Sequence, residues 1–438
     1  MKRLASAVVL VVSLPCAARA DDRKEPPVRA FETEMPPVKP SDQEADYSTR
    51  RYEPAGFPLL GGDSDIGFEF GAVATLTRFG QGVRPYLWNM DLVLAASVKS
   101  GPAGADIAQT NLVWNWDVPA LMEGRLRLNP SVSYQRTINQ GYFGLGNASI
   151  GARPAAPSRE PGRYFQFIEE LATVRELVRI KVEGPWDVML APAFRYVSPG
   201  LYEGSKLFED AASPPRGGVP VLLGVGRLSL GSLGAGFVYD TRDNEIFPTL
   251  GQYHQVGTKF VEGFPLGDGV RYGQSSAVLC GYVPLARHTV LALRGVTDLE
   301  YGDVPFYDLF TGGPFITNEL PGGSSGVRGV PVGRYLGRIK AVANVEVRTL
   351  PVAFRVLGQG FRLGGDAFFD TGRVWSDYTF TSALDGSGLG LKYGVGAGAY
   401  LLWGQAALFR IECAYSPDAV AENPNFPIGV YVEDGTMF

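Results

Sequence analysis

The sequence predicts an all-β fold, a transmembrane antiparallel β-barrel, and three observations lead to this prediction. Short segments in which apolar and polar residues alternate follow one another from about residue 61 to the end of the 438-residue chain. The polar faces of many successive segments carry ionic residues, which suits a water-filled lumen. The chain also begins with the pattern of a secretory signal and ends in an aromatic residue, Phe438.

The first 20 residues have the pattern of a signal peptide. Lys2 and Arg3 precede an apolar run, and Ala18-Arg19-Ala20 is an A-x-A cleavage site. We therefore expect residues 1–20 to be removed. Nothing after them approaches the roughly 20 uninterrupted apolar residues of a transmembrane helix. An exported protein of this kind is either soluble or a β-barrel.

Residues 21–60 differ in composition from the rest of the chain. They are charged and proline-rich and contain few aliphatic residues. Such a segment cannot bury enough apolar surface to offset its ordering entropy. We predict a disordered periplasmic tether over residues 21–60, followed by the barrel over residues 61–438.

Composition excludes several classes of function. The chain carries 40 basic and 45 acidic residues, so its net charge of −5 argues against nucleic acid as a partner. Two cysteines lie beyond the signal, Cys280 and Cys413, too few for a disulfide framework. The two histidines, His254 and His288, lie on separate segments. We predict no metal site and no cofactor.

The alternation defines the strands. Val345 and Val347, for example, oppose Glu346 and Arg348. We count about fifteen such segments; because single-chain bacterial barrels have an even number of strands, sixteen is the predicted total, with one missed or merged before residue 230. Segment 162–182 would also suit a helix face, and a strand is the preferred interpretation there.

A soluble β-sandwich is the competing fold, since alternation alone does not identify the solvent. Tyr and Phe cluster near segment ends, as aromatic girdles do, and the apolar rows are less dense in Leu and Ile than a soluble core. Val430, Val432 and Phe438 share one face of the last segment. A terminal aromatic residue on an alternating strand resembles the β-signal by which outer-membrane barrels are recognised for insertion, and Phe438 is the terminal residue of that signal.

Five local motifs occur in a characteristic order. They are Gly144-Leu145-Gly146-Asn147, the turn Tyr239-Asp240-Thr241-Arg242-Asp243-Asn244, the loop Val327-Arg328-Gly329, Val345-Glu346-Val347-Arg348, and Phe369-Asp370-Thr371-Gly372-Arg373. Together they resemble the bacterial surface antigen family, the BamA- and TamA-like assembly and translocation barrels of the outer membrane. The resemblance covers about residues 61–438, although Val330 replaces the usual aromatic residue of the loop motif.

The resemblance implies a loop inserted into the lumen, with its arginine paired to acids on the following strands. By motif, these are Arg328 with Asp370, and with Glu346 nearby. The alternation agrees, because both acids oppose apolar neighbours and therefore face inward. A planar guanidinium suits such a role, since it holds carboxylates bidentately and stays charged. Two alternatives are a solvated loop tip and a pair that only maintains barrel shape.

Two further motifs have competing interpretations. Asp240, Arg242 and Asp243 could form a cation site, but turn capping before Pro248 is favoured. Gly322-Gly323-Ser324-Ser325-Gly326 fits the G-x-S-x-G pattern of hydrolases, yet no histidine follows Ser324. His288 lies on the same face as charged strand residues without an adjacent Ser or Asn signature. We therefore predict that the protein is not an enzyme.

The predicted function is assistance with the insertion or transport of polypeptides at the bacterial outer membrane. The alternative is a passive or plugged outer-membrane pore. The implied partners are outer-membrane lipid, the barrel assembly machinery during biogenesis, and a polypeptide client. Well-known members of the family carry POTRA domains before the barrel, whereas residues 21–60 do not resemble one, so client recognition by such domains is not implied here.

Overall fold

The computed structural model describes residues 7–9 and 50–438, with internal gaps. The gaps are residues 64–65, 82, 84–85, 102–103, 150–162, 213–220, 245–246, 266–268, 357–358, 381, 404–406, 422–427 and 435. The cleavage site of the predicted signal peptide and residues 21–49 of the predicted tether lie outside the described residues.

Sixteen strands in the described part of the chain form one closed antiparallel barrel. They are β1 (Arg51–Asp63), β2 (Gly67–Phe79), β3 (Trp88–Gly101), β4 (Gly104–Leu121), β5 (Leu126–Gly141), β6 (Gln166–Glu183), β7 (Trp186–Leu201), β8 (Leu228–Asp240), β9 (Gly251–Gly263), β10 (Arg271–Ala286), β11 (Thr289–Gly302), β12 (Ile339–Val356), β13 (Gln359–Trp375), β14 (Lys392–Trp403), β15 (Ala407–Tyr415) and β16 (Ile428–Asp434). Each strand pairs with the next, and β16 pairs with β1. The predicted fold is confirmed, including a strand rather than a helix over Gln166–Glu183.

The connections define the two ends of the barrel. The five longest, residues 142–165, 202–227, 303–338, 376–391 and 416–427, lie at one end. They include the helices α1 (Lys206–Ala212) and α2 (Ser382–Asp385). Because outer-membrane barrels have short periplasmic turns and long extracellular loops, this end is extracellular. Among the described residues, no helix is long and apolar enough to cross a membrane.

The distribution of polarity is inverted relative to a soluble protein. On β12, Val345 and Val347 are each 39% exposed on the outer face, whereas Glu346 and Arg348 between them are 0% exposed. The apolar face therefore points away from the interior and the charged face lines it. This arrangement fits a lipid-facing wall around a polar lumen.

The predicted boundary of the barrel at residue 61 is wrong, because β1 begins at Arg51 within the proline-rich segment. This is the strand that the alternation missed. Pro54 and Pro58 lie on it, and proline cannot donate a hydrogen bond to a ladder. Residues four apart direct their backbone nitrogens to the same edge. Strand β1 tolerates both prolines because that edge is the barrel seam, where β16 does not reach them.

Phe438, the terminal residue of the predicted β-signal, lies beyond the end of the last strand. Strand β16 ends at Asp434, and the last residues leave the wall and turn into the lumen. The Phe438 ring lies 4.6 Å from the Arg348 guanidinium carbon, and Nη1 of Arg348 donates to the main-chain oxygen of Phe438 at 3.0 Å. The cation–π contact with Arg348 and this hydrogen bond stabilise the C-terminal aromatic residue inside the barrel.

The barrel closes through a short seam. Among the described residues, β16 and β1 share two pairs, Tyr431 with Asp63 and Val432 with Gly62, whereas seven residue pairs join β15 to β16. In addition, Ala7–Val9, within the predicted signal peptide, pair with Leu59–Gly61 of β1. The seam is thus the part of the wall with the fewest strand-to-strand pairs between barrel strands.

We expect the amides of β16 to exchange with solvent faster than those of Ala341–Val347 on β12, which are paired on both sides. Amide protection follows the local free energy of opening. Hydrogen exchange with mass spectrometry in lipid nanodiscs measures both segments in one sample. Equal protection would contradict a weak seam.

Candidate functional site

The connection between β11 and β12 enters the lumen and places a single arginine at its centre. Val327, Arg328 and Val330 are fully buried. Gly329 has φ of 91°, and a Cβ there would lie 3.0 Å from Cβ of Ser416. The glycine is required because the chain reverses against the end of β15 with no room for a side chain. Val330, in place of an aromatic residue, packs in an apolar cluster with Val327, Tyr335 and other buried residues.

Arg328 is held by carboxylates from three strands. Its Nε and Nη2 donate to Oδ2 and Oδ1 of Asp370 at 2.7 and 2.9 Å, a bidentate pair. Its Nη2 also lies 2.7 Å from Oε1 of Glu346, and its Nη1 donates to Oε1 of Glu412 at 3.0 Å. The guanidinium carbon lies 3.4 Å from the centre of the Phe368 ring. All three nitrogens of the guanidinium group and one of its faces are therefore in contact with the wall.

A second layer of charge surrounds this contact. Nε of Arg348 donates to Oε2 of Glu346 at 2.6 Å, and Arg410 bonds both Glu412 and Glu433. All of these side chains are buried. Counting Asp366 and Asp370, five carboxylates face three guanidinium groups, so the cluster would be strongly uncompensated without Arg328. Removing one partner of a buried ion pair leaves the remaining charges without compensation.

The wall leaves space for the loop backbone. A Cβ at Gly394 of β14 would lie 1.9 Å from the carbonyl oxygen of Arg328. The main-chain N–H of Arg328 donates to Oδ2 of Asp370 at 3.1 Å, and that of Gly329 donates to the hydroxyl of Tyr431 at 2.8 Å. The loop therefore fits the wall by its main chain as well as by its arginine.

Two polar side chains bind the glycine-rich segment that precedes Arg328. Asn344 donates from Nδ2 to the carbonyl oxygen of Gly326 and to Oδ1 of Asp370, both at 2.9 Å. Nη1 of Arg294 donates to the carbonyl oxygen of Ser325 at 2.7 Å. These bonds satisfy backbone carbonyls that the loop could not otherwise pair in the lumen.

The first half of the loop is anchored separately, by residues of β7, β11 and β12. Arg195 of β7 donates bidentately to Asp308 at 2.8 and 2.7 Å. Oδ2 of Asp298 accepts a hydrogen bond from the main-chain N–H of Gly313 at 3.1 Å, while Lys340 lies 3.2 Å from Oδ1 of the same carboxylate. The loop thus spans the lumen between two charged anchors.

A metal ion would compete with the arginine for the same carboxylates. Glu346, Asp366 and Glu412 each bring one oxygen within 4.8 Å of the others, a spacing compatible with a metal. Arg328 lies within 3.9 Å of an oxygen of each of them. The guanidinium group therefore supplies the positive charge that these carboxylates need.

The structure brings together the three lumenal residues proposed from sequence, Arg328, Asp370 and Glu346. Sequence reasoning did not assign Glu412, Asp366, Phe368 or Tyr431 to the site. The inward direction of Glu412 could have been predicted from the sequence, because Glu412 alternates with apolar Ile411 and Cys413 on its strand.

The turn between β8 and β9 contains the second motif, at the periplasmic end. Asp240 accepts hydrogen bonds from Nε and Nη2 of Arg242 at 3.0 and 2.8 Å. Asp243 accepts the N–H groups of Thr249 and Leu250 at 2.8 and 3.1 Å. Burial alone would lower the pKa of Arg242, but Asp240 outweighs it and raises that pKa above its ordinary value. These contacts are side-chain caps within the turn.

The residues of the hydrolase pattern are not assembled into a catalytic group in the described structure. Ser324 lines the lumenal cavity beside the loop, together with Ser325 and Glu319. His288 lies at the turn between β10 and β11, at the periplasmic end. His254 lies on β9 and stacks on Tyr239, with ring centres 5.8 Å apart.

A sixteen-stranded barrel whose extracellular loop places an arginine among lumenal carboxylates defines a class of outer-membrane barrel. The Omp85 superfamily domain matches residues 189–427, more than half of the chain. The chain therefore belongs to the Omp85 superfamily, whose barrels lie in the bacterial outer membrane.

Solved structures show the same fold. BamA from Haemophilus ducreyi lacking POTRA domains 1–3 is similar with a TM-score of 0.55 at 15% identity, over 91% of this chain and 74% of that one. CdiB from Escherichia coli is similar with a TM-score of 0.50 at 12% identity, over 87% of this chain and 62% of that one. No curated protein matches the sequence.

We expect Arg328→Ala to lower the free energy of unfolding by about 3–5 kcal/mol, because it leaves buried carboxylates uncompensated. Urea denaturation in detergent micelles measures this change. Arg271→Ala is the matched control, since the Arg271–Glu262 pair is exposed at a strand end, and it should cost no more than about 1 kcal/mol. Equal effects of the two substitutions would contradict the burial of a central ion cluster.

We expect Gly394→Ala to displace the loop and destabilise the barrel by about 1–3 kcal/mol, because its methyl group meets the Arg328 carbonyl. Limited proteolysis should then cut within residues 303–338. Gly295→Ala is the control, since a Cβ there meets nothing within 4 Å. A loop that stays resistant in Gly394→Ala would show that the wall does not need this glycine.

Proposed function

We propose that this barrel assists the insertion or transport of polypeptides at the outer membrane. The observation that carries the proposal is the seam, where β16 and β1 share two residue pairs. Each ordinary backbone hydrogen bond contributes only about 0.5–1.5 kcal/mol net. Parting this seam therefore costs much less than parting any other pair of barrel strands.

An opened seam would present the unpaired edges of β1 and β16 to a strand of another chain. Exposed strand edges are templates for pairing with an extended polypeptide. Membership of a superfamily with assembly and translocation barrels supports this direction. The partners of the proposed activity are a polypeptide client and outer-membrane lipid, with the assembly machinery acting on the barrel itself during biogenesis.

The second candidate is a plugged pore without translocase activity, and the filled lumen favours it. The loop spans the lumen between Asp308 and Arg328, and an apolar cluster that includes Phe306, Phe310 and Leu336 packs at the extracellular end. A cavity remains in the lumen, and its lining includes polar residues such as Gln109 and Thr173. In planar bilayers, small flickering conductance fits a loop-plugged barrel, whereas a large steady conductance fits an open pore.

Deletion of the gene should change the protein composition of the outer membrane or the surface exposure of secreted proteins. Wild-type protein should restore both, and Arg328→Ala should restore them less completely. Arg328→Lys should resemble Arg328→Ala, since an ammonium group cannot serve three carboxylates as a planar fork does. Quantitative proteomics of outer-membrane fractions provides the measurement, with Arg271→Ala as the control.

An unchanged outer-membrane profile and unchanged surface exposure after deletion would refute the polypeptide function. The flickering conductance of the purified barrel would then leave the plugged pore as the better account.

A further inference from the structure

The turn between β8 and β9 reaches from one wall of the barrel to another. Phe247 of this turn is 5% exposed and packs in an apolar cluster with Leu350, Leu402 and Leu408. These leucines lie near the periplasmic ends of β12, β14 and β15, at least three strands away from β9 around the barrel. A periplasmic turn of an outer-membrane barrel is ordinarily short and external. Here it inserts an aromatic side chain across the mouth.

The turn is built to present that side chain. Oδ1 of Asn244 accepts the N–H of Phe247 at 2.9 Å, and Asp243 accepts two further N–H groups beyond it. The Arg242 guanidinium carbon lies 3.9 Å from the centre of the Tyr253 ring, which fixes the base of the turn to β9. Side-chain caps of this kind hold a turn in one conformation. The motif assigned above to turn capping therefore also orients Phe247.

One residue joins the turn to the lumenal arginine. The Phe247 ring meets the ring of Tyr400 edge-on, with centres 6.2 Å apart. The Tyr400 hydroxyl donates to Oδ2 of Asp366 at 3.2 Å and lies 3.5 Å from Oε1 of Glu412. That same Glu412 oxygen accepts the hydrogen bond from Arg328. A continuous path of contacts thus runs from the periplasmic turn to the extracellular loop.

We infer that Tyr400 couples the position of the β8–β9 turn to the binding of Arg328 by the lumenal carboxylates. With Phe247 seated, the Tyr400 ring is confined and its hydroxyl stays on the carboxylates that bind the arginine. With Phe247 withdrawn, the ring is free to move and the carboxylates lose a donor. Phe247 and Tyr400 are positioning residues, and a periplasmic contact that draws Phe247 out of the lumen loosens the loop from the other side. This coupling does not depend on the function proposed above.

The test is hydrogen exchange of two peptides in the full chain, one covering the turn at 241–250 and one covering the loop at 322–332. Phe247→Ala should speed exchange in both peptides, with an effect on the loop of about tenfold, a typical coupling between sites. Phe264→Ala is the matched control, since Phe264 is 70% exposed in the connection after β9. It should leave both peptides unchanged. Faster exchange in the turn alone would overturn the coupling and leave Phe247 as a local contact.

A second variant separates the hydroxyl from the ring. Tyr400→Phe keeps the ring that meets Phe247 and removes the bond to Asp366, so exchange in the loop should rise while exchange in the turn stays as in wild type. If Phe247→Ala does not yield folded barrel, Phe247→Leu keeps an apolar contact of smaller size and should give the same pattern to a lesser degree. A loop that exchanges at the wild-type rate in Tyr400→Phe would also overturn the inference.

Coupling between sites is reciprocal. Arg328→Lys should therefore speed exchange in the turn peptide, although residue 328 lies far from it in the chain. An exchange rate in the turn peptide that does not change in Arg328→Lys would contradict a shared path. None of these measurements uses a client, so their failure is distinguishable from failure of the proposed polypeptide function.

Discussion

The burial of one guanidinium group among carboxylates is the interaction on which the rest of this structure depends. Taking an arginine and several acids out of water is costly, and their attraction offsets that cost only when every donor and acceptor is placed. Here Asp370, Glu346 and Glu412 arrive from three strands and Phe368 covers the flat face. The loop is consequently restricted to one position, since any displacement leaves buried charges without a counter-charge.

With the loop fixed in this position, aromatic and charged clusters occupy the lumen from the extracellular to the periplasmic end. The apolar cluster around Phe306 and Phe310 packs at the extracellular end, and the ion cluster lies deeper. Phe247 and the terminal Phe438 enter from the periplasmic side. The seam has few pairs because Tyr431 and Val432 of β16 pair with β1, while Leu59–Gly61 of β1 pair with Ala7–Val9. The inward turn of the chain end places an aromatic ring beside Arg348, and the wall is weakest where it closes, at the seam.

Residue alternation was sufficient to predict the barrel and the inward direction of Glu346 and Asp370, because a period of two fixes the face of every residue on a strand. It did not assign Glu412 to Arg328, although the face was readable, because the two are 84 residues apart and their contact depends on how the barrel closes. Strand β1 was missed because Pro54 and Pro58 resemble a tether. Their tolerance depends on an unpaired edge that only the closed sheet reveals. The lumenal positions of Phe438 and Phe247 follow from tertiary contacts across the barrel, which no local pattern encodes.

The central claim, that the loop is held against the wall inside the barrel, is tested most directly by cysteine pairing in intact outer membranes. A Cβ at Gly372 would lie 3.0 Å from Cγ2 of Val327, so Val327→Cys with Gly372→Cys should form a disulfide under mild oxidation. The background would carry Cys280→Ser and Cys413→Ser. The account predicts that neither thiol reacts with a membrane-impermeant maleimide until the bridge is reduced. A cysteine at 327 that reacts readily from the outside under oxidising conditions would contradict it.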